Sequence, residues 1–173
     1  MIEKTIILNG KALLCRQLVA EDHDAVLELF HTAKDYFMLS EGKLPENAED
    51  FFYDLPPEKS HQDKMLLGLF DNNSPVAVAD IVRDFPKKGV WMTGLLLVHG
   101  KMQHQGLGKI LLDILIDHAR NNQAHTHRIG VLEQNKPALV FWKKLGYKII
   151  SRSESRTYGS IRSKVIVLHL LLQ

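Results

Sequence analysis

The stretch "QHQGLGKILL", residues 103–112, sets two glycines and a lysine against the start of an apolar helical run. Glycine has no β-carbon, so backbone N–H groups there can meet a ligand closely. The first turn of a helix leaves N–H donors unpaired and carries a partial positive charge. Gly106 and Gly108 therefore predict an anion cradle suited to phosphate, with Leu107 turned into the core and Lys109 at the rim. Two familiar phosphate loops do not fit. Ile110 follows Gly108-Lys109 where a P-loop needs Ser or Thr, and Leu111 stands where a dinucleotide fingerprint needs a third glycine.

Outward from this point the chain alternates strands and helices. Downstream, Leu107, Ile110, Leu111, Ile114, Leu115 and His118 mark one face of a helix. "HRIGVL" reads as a strand. "NKPALVFWKKLGY" reads as a helix capped by Asn135, with Pro137 in its first turn and Gly146 as its stop. "YKIISRS" and "KVIVLHLLL" read as two last strands. Upstream, "KMLLGLF", "VAVADIVRDF" and "VWMTGLLLV" are joined by tight turns and predict an antiparallel meander. Asn9-Gly10 predicts a hairpin between two short N-terminal strands. "AEDHDAVLELFHTAKDYF" predicts one helix capped by Glu21 or Asp22, and "LPENAEDFFYDLPP" a second, opened by Pro45 and closed by Pro56-Pro57. Strand, helix and strand over 90–132 predict a right-handed crossover between parallel neighbours. The whole is one α/β domain, a mixed sheet with helices on its faces.

Bulk properties narrow the function. The chain has 173 residues, 45% of them hydrophobic, which suits a single core. Twenty-two basic residues against 20 acidic ones argue against a nucleic-acid partner held by phosphate neutralisation. One cysteine, Cys15, cannot form an internal disulfide, and a cytoplasmic location is expected. The N-terminus does not read as a signal peptide, and no run of about 18 apolar residues exists to span a membrane.

"LLLVHGKMQHQGLGKILL" resembles the signature of the GNAT acyltransferase superfamily, with Gln103, Gly106 and Gly108 in its fixed positions. "GVLEQNKPALVFWKKLGY" resembles the family's later strand and helix, through Asn135, Ala138, Phe141, Gly146 and Tyr147. The resemblance implies a single domain over 1–173 with a largely antiparallel sheet of about seven strands and a splayed parallel pair at its centre. It implies acetyl-CoA as co-substrate. Backbone amides of His104, Gln105, Gly106, Leu107, Gly108 and Lys109 would hold its pyrophosphate. Leu96, Leu97 and Val98, with Gly94 and Leu95 before them, would pair with the pantetheine arm, and an N–H near Val98 would polarise the thioester carbonyl. Asn135, Phe141 and Trp142 would line the arm. The implied activity is N-acetylation of a primary amine on a small molecule. A non-catalytic acyl-CoA sensor is the alternative, and a homodimer is compatible with either.

Two departures bear on catalysis. Trp142 stands where many relatives have a tyrosine acid, and an indole N–H is no useful acid near neutral pH. Met92 stands where many have a glutamate base. Asp80, His99, Glu133 and Tyr158 are the remaining catalytic candidates, with Tyr36 a further proton donor. Each has a plainer role open to it: Asp80 as a solvent-facing strand residue, Glu133 as a rim charge, His99 as a turn residue. Water can also relay the proton. His125 and His127 have the spacing of two ligands on one strand face, but no third ligand completes a metal set. Glu41, Glu46, Glu49, Asp50 and Asp54 against Lys43 form an acidic stretch, either a solvated face or a rim that attracts a cationic amine. Tyr36, Phe37, Phe52 and Tyr53 are candidates to line the acceptor pocket.

Overall fold

The computed structural model describes residues 2–173. In chain order the elements are β1 (Glu3–Leu8), β2 (Lys11–Gln17), α1 (His23–Thr32), α2 (Lys34–Ser40), α3 (Glu49–Tyr53), β3 (Lys64–Asp71), β4 (Ser74–Val82), β5 (Val90–Val98), α4 (Leu107–Asn121), β6 (Thr126–Leu132), α5 (Lys136–Lys144), β7 (Lys148–Arg152), β8 (Arg156–Tyr158), β9 (Ile161–Ser163) and β10 (Val165–Leu171).

The main sheet has eight strands, in the order β1-β2-β3-β4-β5-β6-β10-β7, where about seven were expected. A separate two-stranded sheet, β8-β9, was not foreseen. Its strands are three residues each, too short for a hydrophobic alternation to show in "RTYGSIRS". The predicted antiparallel meander is present as β3-β4-β5, and β5 and β6 are parallel, joined through α4. Asn9 and Gly10 both have positive φ, 51° and 78°, which suits the two-residue turn that pairs Leu8 with Lys11.

Two helical stretches differ from expectation. The predicted single N-terminal helix is broken at Ala33, where Thr32 Oγ1 donates to the Leu29 carbonyl and accepts the Gly100 N–H at 2.9 Å. Asp22 does not cap α1 with its side chain. Its carboxylate accepts the Val19 N–H and a fork from Arg16 at 2.7 Å to each oxygen. That hydrogen-bonded Arg16 holds the Asp22 pKa below its usual value. Pro45 does not open α3. The Pro45 carbonyl is taken by the His31 ring, and Asn47 Oδ1 accepts the Glu49 N–H, so the helix starts only at Glu49.

Alternation along β4 divides the core. Ala77, Ala79 and Ile81 pack with Leu107, Leu111, Leu115 and Trp142 on the α4–α5 face. Val78 packs with Val26, Leu29, Phe30 and Phe37 on the α1–α3 face. The buried stripe of α4 includes Leu112, Ile116 and Ala119, while Ile110, Ile114 and His118 sit at its half-buried margins.

Candidate active site

The centre of the sheet is opened by one inserted residue. Asp80 pairs with Leu95 and Ile81 with Thr93, so Gly94 is the extra residue of a β-bulge in β5. The β5–β6 ladder runs from Val90↔Thr126 to Thr93↔Ile129 and stops there. Beyond the bulge the two strands part. The Leu95 N–H donates to Asp80 Oδ1 at 2.5 Å and the His99 N–H to the Val76 carbonyl at 2.9 Å, both toward β4. The alternation of a strand then turns the amides of Leu96 and Val98 toward the gap.

A buried polar pin marks the point where the strands part. Thr93 Oγ1 lies 2.9 Å from His127 Nε2, and His127 Nδ1 lies 2.5 Å from Tyr147 Oη. Thr93 and His127 have no exposed surface. Burial pushes the His127 imidazole down to about 3, so it stays neutral, and raises the Tyr147 phenol. Both His127 nitrogens are thus engaged by protein groups. His125 meets Thr126 Oγ1 instead, so the two histidines share no site. No group of three or more metal-ligating side chains occurs among the described residues.

The loop before α4 is shaped as the cradle requires. His104 and Gly106 have φ of 62° and 88°, and Gly106 is the cap residue of α4. The first intrahelical N–H donor is Ile110, to the Gly106 carbonyl, so the amides of Leu107, Gly108 and Lys109 stay unpaired by the helix. A β-carbon on Gly108 would sit 3.4 Å from Val98 Cγ2 and 3.7 Å from Phe141 Cζ, so a larger side chain there fills the space between α4 and the gap.

One cavity of about 760 Å³ joins these parts. At one end lie Gln103, His104, Gly106, Gly108 and Lys109; its middle is walled by Leu96, Leu97, Val98, Asn135, Phe141 and Trp142. Asp35, Tyr36, Leu39 and Ser40 of α2 also line it, and its far end reaches Glu41 and, on β8, Tyr158. Leu107 contributes to the lining although its side chain is in the core, and Gln105 lies outside, its amide donating to the Lys101 carbonyl. Lys109 pairs along the helix with Asp113 at 2.6 Å. Asn135 caps α5, accepting the Ala138 N–H at 3.2 Å, and Trp142 packs edge-on against Phe141 and Tyr147.

Of the four catalytic candidates, only Tyr158 lines this cavity. Asp80 does not face open solvent. It holds the bulge through Leu95, its carboxylate lies 3.5 Å from Lys64 Nζ, and burial raises its pKa despite that lysine. It opens instead into a smaller cavity of about 320 Å³ with Met92, Phe85, Leu55 and Gly94. His99 caps a single helical turn at 100–102, its ring accepting the Lys101 N–H. Glu133 is a surface carboxylate 3.6 Å from Arg152. Tyr36 lines the large cavity, and burial followed by Glu41 and Asp80 pushes its phenol up to about 12. Phe37 and Phe52 are core residues, and Tyr53 is exposed.

Gln134 carries a role that sequence reasoning missed. Its side-chain oxygen accepts the Ser163 hydroxyl, and its amide donates to the Leu39 carbonyl. It ties the β6–α5 turn to β9 and α2 at the far end of the cavity. No local spacing signals this, because its partners are 29 and 95 residues away.

Opened central strands, a glycine-capped helix and a cavity between them define the acyltransferase class expected from the sequence. Residues 25–147 match the acetyltransferase (GNAT) family, and the chain belongs to that family. Its fold is similar to an acetyltransferase from Thermus thermophilus, at a TM-score of 0.77 and 20% identity over 98% of this chain and 100% of that one. It is similar to the ribosomal-protein-S18-alanine N-acetyltransferase of Escherichia coli, at 0.70 and 19% over 93% and 94%. The GNAT domain of S. lividans PAT gives 0.72 and 17% over 98% and 97%. No sequence among the curated proteins matches the chain. Among the described residues no helix is long and apolar enough to cross a membrane.

Proposed function

We propose that the protein is an acetyl-CoA-dependent N-acetyltransferase acting on a primary amine of a small molecule. The supporting observation is the continuity of the cavity from the unpaired amides of α4, through the gap beside Gly94, to Tyr158 and α2. The residues fit the co-substrate. Unpaired N–H groups suit a pyrophosphate, and the open edge of β5 suits an amide-bearing arm. When bound, acetyl-CoA supplies an acetyl thioester.

The chain's own groups then do the following. The amides of Leu107, Gly108 and Lys109 fix the anionic end, and Phe141 and Trp142 wall the arm. The N–H groups of Leu96 and Val98 face the gap and donate to an oxygen that gains negative charge. Tyr158 gives its proton to the departing sulfur, in place of the tyrosine that Trp142 replaces. Tyr36 keeps its proton at neutral pH and serves as a hydrogen-bond donor. Water in the cavity takes the amine proton, since Asp80, His99 and Glu133 are occupied elsewhere.

Thiol release from acetyl-CoA across an amine panel tests this reading, with calorimetry for binding. Tyr158→Phe should lower kcat by about tenfold or more and leave acetyl-CoA affinity unchanged. The tryptophan at position 142 favours one other reading, a non-catalytic acyl-CoA sensor. Tight acetyl-CoA binding without thiol release from any amine would establish that reading instead.

A further inference from the structure

Half of one sheet face carries no helix. The cluster packed under α1–α3 takes its strand residues from β2–β5: Leu14, Leu66, Phe70, Val78, Leu95 and Leu97. Ile129 and Val131 of β6, with Ile166 and Leu168 of β10, belong to the core on the α4–α5 side. Alternation therefore turns Arg128 and Gly130 of β6, and Val165 and His169 of β10, to the opposite, bare half. Strand pairing aligns one row across it: Met92 of β5, Arg128 of β6, His169 of β10 and Lys148 of β7. Residues paired on neighbouring strands share a face about 5 Å apart, so the arginine, the imidazole and the lysine stand side by side. Arg128 and His169 are half-buried and Lys148 is exposed. A β-carbon on Gly130 would lie 3.7 Å from Met92 Cε and 2.9 Å from Val165 Cγ1, which sets these side chains on the same face.

Arg16, Arg120 and Arg152 pair with Asp22, Asp117 and Glu133. Among the described residues Arg128 has no carboxylate partner, and its Nε is buried without a hydrogen bond. A half-buried guanidinium left without an anion is costly, and an anion at its terminal nitrogens offsets that cost. Met92, beside Arg128, lines the smaller cavity, and Gly130, two residues beyond it, lines the larger one. Gly94 lines both. Arg128 lines neither and flanks the place where the two meet. Sheet spacings put its Cα about 8 Å from that of Gly94.

A guanidinium fork with an imidazole and an ammonium beside it suits a carboxylate. Resting on the transferase reading above, we propose that the acceptor is an amino acid whose amine and carboxylate are several carbons apart: Arg128 holds the carboxylate, with His169 and Lys148 next to it, and the amine reaches the gap beside Gly94. The carboxylate takes no part in the bond changes. The neutral amine nitrogen forms the bond to the acetyl carbon, the carbon–sulfur bond breaks, the sulfur leaves with that electron pair and receives a proton, and the nitrogen loses one proton to water.

The test compares ε-aminocaproate, ε-aminocaproamide and cadaverine as acceptors, with acetyl-CoA in each case. All three share a primary amine on five methylenes, which span about 7 Å when extended. They differ at the far group: carboxylate, neutral amide, cation. ε-Aminocaproate should exceed its amide in kcat/KM by about tenfold or more, with cadaverine last. That preference should collapse toward parity in Arg128→Gln, chiefly through KM, and Arg128→Lys should retain part of it. Lys148→Gln should reduce it in part. Acetyl-CoA calorimetry on each variant reports that the fold and the α4 cradle persist. Equal values for ε-aminocaproate and its amide in the native protein, or a preference that survives in Arg128→Gln, would overturn the carboxylate proposal and leave the transferase reading standing. Binding of polyglutamate that is lost in Arg128→Gln, with no preference among the three amines, would assign the row to an acidic partner chain instead. Binding of acetyl-CoA with no thiol release from any of the three acceptors would refute the carboxylate proposal and favour the sensor reading. Loss of acetyl-CoA binding in the native protein would refute both.

Discussion

Gly108 and Asp80 show how single residues set this site. Gly108 leaves open the space between Val98 and Phe141, and the amides beside it are unpaired. Gly108→Val should fill that space and weaken acetyl-CoA binding about tenfold or more, while circular dichroism stays native. Unchanged affinity by calorimetry would place the co-substrate elsewhere. Asp80 is a structural carboxylate. Lys64 beside it has a side chain only 4% exposed, so Asp80→Ala leaves a buried cation with the Asp54 carbonyl but no counter-ion, and the Leu95 N–H without its acceptor. The expected loss is about 3 kcal/mol in urea unfolding. A loss below about 0.5 kcal/mol would mean that Lys64 escapes to water, as exposed substitutions of that size do. The sequence marked Asp80 as polar on a strand, but not its burial. Burial depends on β3 bringing Lys64 alongside Val82, and on the bulge at Gly94.

At the scale of elements, tertiary contacts overrode local pattern in three places. The N-terminal helix read as continuous, yet Thr32 turns to bond the loop before α4 and the helix ends there. The β8-β9 hairpin was invisible because each of its paired segments is too short to alternate. The far end of the cavity is held by Gln134, whose contacts join three elements remote in sequence. Gln134→Ala should cost about 1 kcal/mol of stability. It should also raise the acceptor KM more than it lowers kcat, since Gln134 orients the walls and does not line the reacting region. A kcat loss with KM unchanged would assign Gln134 to the chemistry instead. The α4 and α5 elements were fully legible, because their caps, Gly106 and Asn135, and their stops act within a few residues.

For the whole molecule, the buried His127 couples acidity to folding. Its folded pKa, about 3, lies below the ordinary 6.5, so the unfolded chain binds the proton first. The stability tied to the neutral ring is therefore present above 6.5 and is lost as pH falls from 6.5 toward 3. Between pH 7 and pH 5 the loss from this group is about 2 kcal/mol. Urea midpoints of the native protein and of His127→Gln, taken across this range, should show a steeper acid loss in the native protein. Parallel curves would show that His127 is not the source. The same ring spans β5, β6 and the segment after α5, so its protonation should loosen the sheet at the point where the two strands part.

By itself the sequence determined the alternation of elements, the glycine-capped helix that offers unpaired amides, and the family to which the chain belongs. Those features are local: a missing β-carbon, a cap, a hydrophobic period. Only the tertiary structure decided which polar side chains share the cavity. It set Tyr158, Tyr36, Ser40 and Glu41 in one cavity, turned Asp80 toward Lys64, and left His99 and Glu133 outside. The reason is that a one-residue bulge parts two strands, and the side chains that close the opening come from α2 and β8, more than a hundred residues apart.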